Sequence, residues 1–401
     1  MLQYFKYCIF SDEAGASKPS PRIFEQAAQK LKTPLSQIVH IGDRESNDIA
    51  GPLAMGMQAI LYTGLIDQGS QNTQPPSAAT SPTCPKYCSN SKQKTRNLKP
   101  ETKNQKPFAQ GDTLMEINTP VSLCIINGYP RKNRADLDAA KVTQAHELYL
   151  WMLKTLLPDG NFDILYAADL NVNLPVGTSL AVYDGYIWTG SNLTIYDDVP
   201  EVTRQIELCQ AIYKAGAPQY GSCWGVQMAA LAAGGEVKKN PRGREWSIAR
   251  DITLTEAGRT HPMYIGKPHK FDGFIMHLDE VTRIPAGGVL LAGNAHTPVQ
   301  ALSVKHGKGE FWATQYHPEF TLYEMARLII ARWSALVKEG FFENEADVTA
   351  LVDKMTALSK NPQNAALGQE LNIGDDILDD AIRQSEVKNW LEQLVFPTMR
   401  K

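Results

Sequence analysis

Cysteine is scarce in this chain. Six residues, Cys8, Cys84, Cys88, Cys124, Cys209 and Cys223, are scattered over 401 positions. So sparse a set excludes a small disulfide-stapled scaffold and fits a reducing, cytoplasmic setting. An excess of either charge is also missing: 40 Lys and Arg face 43 Asp and Glu, for a formal net charge of -3. That balance leaves no electrostatic footprint for nucleic acid. No apolar run approaches the ~18 residues a membrane helix needs, and the stretch 226–235 is short and ends in glycine. The opening MLQYFKYCIF lacks a basic leader and a small-residue cleavage pattern, so no secretory signal is expected there. What the chain does have is material for a core, with 43% hydrophobic against 21% charged residues.

Composition divides the chain into blocks. Residues 1–65 alternate short apolar runs (Tyr7–Phe10, Ile38–Ile41, Ala59–Tyr62) with helical spacing at Ile23, Phe24, Ala27 and Leu31 and over Asp48–Met55. That β-α-β-α-β order predicts parallel strand pairing. Residues 66–114 are rich in Ser, Thr, Asn, Gln, Pro and Lys and nearly empty of aliphatics, as expected of a disordered polar linker. Cys84 and Cys88 lie there as C-x3-C with no second ligand pair, so no metal site is expected. Residues 115–340 read as one α/β domain. Its strand-like runs are Val121–Ile126, Phe162–Tyr166, Tyr186–Trp188, Gln219–Ser222, Gly273–His277, Val289–Gly293, Val299–Val304 and Phe311–Tyr316. Residues 341–401 form a helical extension, broken near Asn361–Pro362 and Asn372–Gly374.

The sharpest local pattern is Gly221-Ser222-Cys223-Trp224-Gly225-Val226-Gln227, at the junction of a strand and a helix. Small residues on both sides permit the sharp turn of a nucleophile elbow. The turn points Cys223 at a helix N-terminus, whose partial positive charge favours a thiolate. An ordinary thiol is only a few per cent ionised near neutral pH, so a base is needed. His317 lies 94 residues downstream, in Gln315-Tyr316-His317-Pro318-Glu319-Phe320, directly after a strand-like run. Glu319 is placed to orient and charge-stabilise its imidazole.

The pattern G-x-C-x-G-x-Q followed by Y-H-P-E resembles the class I (triad) glutamine amidotransferases, and is similar to the glutaminase half of GMP synthase. The resemblance covers roughly residues 115–340 and implies an α/β, flavodoxin-like doubly wound sheet. It implies hydrolysis of the glutamine side-chain amide through a γ-glutamyl thioester, with Cys223, His317 and Glu319 catalytic. It places the oxyanion donors on the backbone of Gly190 and Trp224, and substrate contacts on Gln227 and Ser191. Ser191 stands where the family usually carries the second glycine of a pair. Gly234–Val237, Arg244-Glu245-Trp246 and Met276–Val281 are further matches; His277 and Asp279 are read as a hydrogen-bonded pair beside the site, and His296 as a loop histidine. No cofactor or metal is expected. The expected partners are glutamine or a γ-glutamyl substrate and a separate synthetase subunit, because no S-G-G-x-D-S or P-loop motif follows. The alternatives are a γ-glutamyl peptidase-like hydrolase and a non-catalytic interaction module.

Residues 17–24, SKPSPRIF, with Ile41-Gly42-Asp43 and Asn47-Asp48, resemble the last third of a haloacid dehalogenase superfamily hydrolase. The resemblance gives Lys18 a phosphate-steadying role and Asp43 and Asp48 a Mg²⁺-holding role. The D-x-D nucleophile belongs well upstream of Lys18, and only seventeen residues precede it. Without that carboxylate no aspartyl-phosphate forms, so the fragment is expected to be inactive.

Overall fold

The computed structural model describes residues 21–42, 51–61, 120–169 and 179–399. The chain divides into two units, Met1–Glu116 and Ile117–Lys401. Lys18, Asp43, Asp48, Tyr7–Phe10 and residues 66–114 lie outside the described residues.

In the first unit the helix Pro21–Leu31 precedes strand β1 (Val39–Gly42), and Gly51–Ala54 precedes β2 (Gln58–Leu61). The two strands pair in parallel, Val39 opposite Gln58. Phe24 is buried on the inner helix face, and its ring meets His40 edge-on with centroids 5.5 Å apart.

The second unit is built on one large sheet. Its strands in chain order are β3 (Ser122–Asn127), β4 (Asn161–Tyr166), β5 (Gly185–Trp188) and β6 (Gln219–Ser222). Then come β7 (Glu236–Lys239), β8 (Glu245–Leu254), β9 (Lys270–His277) and β10 (Asp279–Arg283). Last are β11 (Gly288–Gly293), β12 (Ala301–His306) and β13 (Gly309–Thr314). Nine of them run β4-β3-β5-β6-β13-β12-β11-β8-β9 across the sheet, while β7 and β10 form a separate antiparallel pair. From β4 to β13 all neighbours are parallel; from β13 to β9 all are antiparallel.

Both faces of the parallel half are covered, as a parallel sheet requires. Successive side chains along a strand point to opposite faces. Thus Cys124 and Ile126 of β3 join the helices Pro200–Ala215 and Trp224–Ala232 on one side. Leu123 and Ile125 join the helix Ala145–Leu156 and the C-terminal residues Val387, Trp390 and Val395 on the other. The tail therefore supplies part of the sheet's cover. A third apolar cluster unites the helices Leu322–Ala331 and Glu345–Lys360 with Phe274 of β9. The Trp390 ring lies so close to β5 that a side-chain carbon on Gly185 would meet it at 2.9 Å, which is why glycine stands there.

Candidate active site

Strand register brings together residues far apart in sequence. In the parallel half of the sheet Trp188 of β5 pairs with Gly221 of β6, and Ser222 of β6 with Thr314 of β13. The carboxyl ends of these three adjacent strands lead directly into Gly190, Cys223 and His317. This is the edge of an open α/β sheet where ligands bind. Two backbone bonds hold the ends in place: Cys223 N–H donates to the Thr314 carbonyl at 2.8 Å, and His317 N–H to the Phe274 carbonyl at 2.8 Å.

Cys223 is the turn itself. Its backbone has φ 53° and ψ -95°, a region that residues with a side chain rarely adopt, and the helix Trp224–Ala232 starts at the next residue. Such strain is held by the surrounding structure. Here the flanking glycines do it. A side-chain carbon on Gly221 would lie 2.8 Å from the Gly225 α-carbon and 2.9 Å from Trp188 Cβ. The G-x-C-x-G spacing thus lets strand, turn and helix approach closely enough for the elbow to form. Val226 and Gln227 N–H already bond the Cys223 carbonyl, at 3.2 and 3.4 Å, whereas the Trp224 N–H at the helix start has no intrahelical acceptor and remains able to donate.

The His317 ring is fixed through Nδ1, 2.7 Å from Glu319 Oε1. That carboxylate oxygen also accepts from Ser222 Oγ at 2.8 Å, which in turn accepts from Tyr149 OH at 2.8 Å. All four residues are buried. Phe320 covers the imidazole, with centroids 4.4 Å apart. Burial alone would lower the His317 pKa, but the Glu319 carboxylate and a hydrogen bond to Cys223 outweigh it and raise it to about 10. With Nδ1 engaged by Glu319, Nε2 is the nitrogen left for Cys223. The geometry is an imidazole oriented by a carboxylate beside a thiol, an arrangement suited to nucleophilic catalysis. Gly190 lies over the pair: a side-chain carbon there would meet His317 Cε1 at 3.3 Å and Cys223 Cβ at 3.9 Å.

Cys223 and His317 line a cavity of about 170 Å³ that also includes Trp224, Gln227, Ser191 and Tyr129. Gln227 Nε2 donates to the Asp279 carbonyl at 3.4 Å. The Ser191 hydroxyl donates to the Gly128 carbonyl at 2.8 Å and accepts from Leu193 N–H at 3.2 Å, which braces the loop after β5. Tyr149 and Ser222, which support Glu319, have no sequence signature as site residues. Ser222 falls inside the elbow motif, and Tyr149 is one of several apolar-face positions on its helix.

His277 does not hydrogen-bond to Cys223 or His317. Its Nδ1 faces the Asp279 backbone carbonyl at 2.8 Å, not that residue's carboxylate, and its Nε2 faces Glu245 Oε2 at 3.0 Å. The ring is thus held between the Asp279 backbone and the Glu245 carboxylate. Glu245 further accepts from Asn294 at 2.6 Å, Thr297 at 2.9 Å and Gln300 at 2.9 Å. Burial pushes its carboxyl up, but the bonds from His277 and Asn294 leave it below the ordinary value. His296, read from sequence as a loop residue, is half-buried beside this group. Ligand atoms of Glu245, His277 and His296 lie within 4.8 Å of one another. The carboxylate oxygens already accept four donors, so the arrangement is a hydrogen-bonded network. No helix among the described residues is long and apolar enough to cross a membrane.

Comparison with known proteins adds the following. Residues 194–334 match the family model "glutamine amidotransferase class-I", and residues 15–86 a "HAD-hydrolase-like" model. A γ-glutamyl-L-1-hydroxyisopropylamide hydrolase from a Pseudomonas species is 36% identical over 247 residues, covering 60% of this chain and 81% of that one. A GMP synthase from Symbiobacterium thermophilum is 28% identical over 174 residues, 43% of this chain. One from Thermomicrobium roseum is 30% identical over 147 residues, 36% of this chain. This chain spans 32% and 25% of their respective lengths. A solved glutamine amidotransferase from Thermotoga maritima superposes with a TM-score of 0.49 at 17% identity, over 69% of this chain and 99% of that one.

Proposed function

The chain belongs to the class I glutamine amidotransferases, and on that footing we propose that it hydrolyses γ-glutamyl amides, glutamine among them, through Cys223, His317 and Glu319. The observation that carries this reading is the strained Cys223 elbow facing an imidazole held by Glu319 at 2.7 Å.

In the proposed reaction the Cys223 sulfur attacks the γ-carbonyl carbon while His317 holds the proton. The carbonyl oxygen becomes an oxyanion, for which the backbone N–H groups of Gly190 and Trp224 are the proposed donors. The C–N bond then breaks as His317 protonates the departing nitrogen, leaving a γ-glutamyl thioester on Cys223. Water attacks that thioester, His317 takes the water's proton, and glutamate leaves with the thiol restored. Glu319 keeps the ring oriented through both steps and balances its charge. Gln227, and Ser191 through the loop it braces, shape the cavity.

The similarity to a γ-glutamyl amide hydrolase over 81% of that protein favours simple hydrolysis, with the amine released. The shorter similarity to GMP synthases supports a second reading, in which ammonia passes to a separate synthetase subunit. The test is product release by the full chain from glutamine, γ-glutamyl alkylamides and γ-glutamyl dipeptides. Turnover of the alkylamides above that of glutamine supports the hydrolase; release confined to glutamine and stimulated by a partner supports the amidotransferase.

A further inference from the structure

The lining of the Cys223 cavity includes charged side chains of both signs. One is Asp279, whose carboxylate accepts only from Tyr196 OH, at 3.0 Å, among the described residues. The others include two guanidinium groups, Arg244 and Arg332. Arg244 is committed, because Nε and Nη2 both bond the Glu339 carboxylate, at 2.7 and 2.8 Å. Arg332 has no side-chain hydrogen bond or ion pair to any described residue. It stands where the chain breaks between the helices Leu322–Ala331 and Trp333–Lys338. Its backbone N–H closes the first helix on the Leu328 and Ile329 carbonyls at 3.1 and 3.0 Å, so the residue is rigidly mounted. It lines the same cavity as Tyr129, Cys223 and His317.

The Arg332 charge acts on the Glu339 carboxylate, but that group's direct bonds go to Arg244. A half-buried arginine with no carboxylate in direct contact, on the wall of a cavity that also holds a thiol, is suited to a planar anion. A γ-glutamyl substrate brings one. Its head carries a carboxylate and an ammonium, separated from the scissile amide by two methylenes, and the cavity offers a guanidinium and a carboxylate. We propose that Arg332 is a specificity-determining residue that binds a substrate carboxylate in the Cys223 cavity. The inference rests on the amidase reading above. The carboxylate has two possible sources: the α-carboxylate of the γ-glutamyl half, or the terminal carboxylate of a leaving amino acid.

The experiment compares the full chain with its Arg332→Gln and Arg332→Lys variants on four substrates. These are glutamine, 4-aminobutanamide (glutamine without its α-carboxylate), γ-glutamylethylamide and γ-glutamylalanine. Losing a charge-assisted contact costs about tenfold or more in affinity. Arg332→Gln should therefore raise KM for glutamine and γ-glutamylethylamide by about tenfold, leave kcat within about threefold, and leave kcat/KM for 4-aminobutanamide unchanged; Arg332→Lys should recover part of the loss. A loss confined to γ-glutamylalanine assigns the contact to the leaving group. An unchanged KM for every carboxylate-bearing substrate, or an equal loss for 4-aminobutanamide, overturns the proposal and leaves the amidase reading standing. If the parent chain turns over none of the four, the amidase reading fails, and a binding measurement decides the proposal. L-Glutamate should then protect Cys223 from iodoacetamide in the parent chain and not in Arg332→Gln. No protection in the parent, or equal protection in both, overturns it.

Discussion

The Tyr316 hydroxyl donates to Glu386 Oε1 at 2.5 Å, which ties the residue before His317 to a helix near the end of the chain. The same carboxylate lies 3.0 Å from Lys267 Nζ, and both charges are fully buried. Burial pushes the Lys267 pKa down, and the Glu386 charge works against that push. Breaking such a pair from one side leaves an uncompensated charge in an apolar setting, at a cost of about 3–5 kcal/mol. Glu386→Gln should lower the melting temperature by many degrees. Scanning calorimetry checks this, and an unchanged transition would mean the tail is not part of the folded core.

Two glycines at the site should behave differently. At Gly221 an added carbon would press on Gly225 backbone and Trp188 at under 3.0 Å, so Gly221→Ala should fail to fold stably. At Gly190 the nearest obstacle is the His317 ring at 3.3 Å, so Gly190→Ala should fold. It should lose kcat by about tenfold to a hundredfold through displacement of the base. Steady-state kinetics alongside circular dichroism separates the two outcomes.

The His317–Glu319 pair fixes a pH dependence of stability. The His317 pKa is about 10 in the folded chain against an ordinary value of 6.5. The folded state therefore holds the proton more tightly than the unfolded one. The pair's contribution is complete below pH ~6.5 and is lost as pH rises through ~10. Removing the charge in Glu319→Gln should flatten this part of the stability curve. Urea titrations at intervals across that range would show it, and parallel curves for the two proteins would contradict it.

The site was legible in sequence where backbone chemistry demands particular residues. A cysteine between spaced glycines after a strand-like run can only be accommodated as a turn, and His317 follows the next such run in the same way. Gly190, assigned in the sequence through the family resemblance, stands two residues past the end of β5. Other contributions left no local mark. Strand β8 was missed because its alternation is broken by a shift in register between Ala249 and Ile252, where Asp251 has φ 57°, and because Arg250 and Asp251 interrupt its apolar run. The short pair β7 and β10 carries mostly charged residues and only two apolar ones, Val237 and Val281, so it has no apolar run to mark it. Tyr149, Ser222 and Arg332 enter the site through contacts spanning many tens of residues, which no periodicity encodes. The hydrogen-bonded pair read between His277 and Asp279 is made through the Asp279 backbone carbonyl, an atom that sequence alone does not single out.

The proposed reacting groups all lie between Gly190 and Glu319, within the second unit, Ile117–Lys401. A chain beginning at Met115 should keep kcat/KM for γ-glutamyl amides within about twofold of the full chain. The full chain should also show no magnesium-dependent hydrolysis of an aryl phosphate, since residues 1–65 contain no D-x-D to supply the nucleophilic aspartate. A large loss on truncation, or phosphatase turnover abolished by Asp43→Asn, would overturn this view of the first 114 residues.

The most direct test of the account is the covalent step. Purified chain mixed with glutamine or γ-glutamylethylamide and quenched in acid should carry a γ-glutamyl thioester on the peptide containing Cys223, readable by mass spectrometry. Cys223→Ala should form no adduct and release no ammonia or ethylamine, while keeping the parent melting temperature, because a small residue fits the elbow. Release by Cys223→Ala at the parent rate, or an adduct on another residue, would contradict the assignment of Cys223 as the nucleophile.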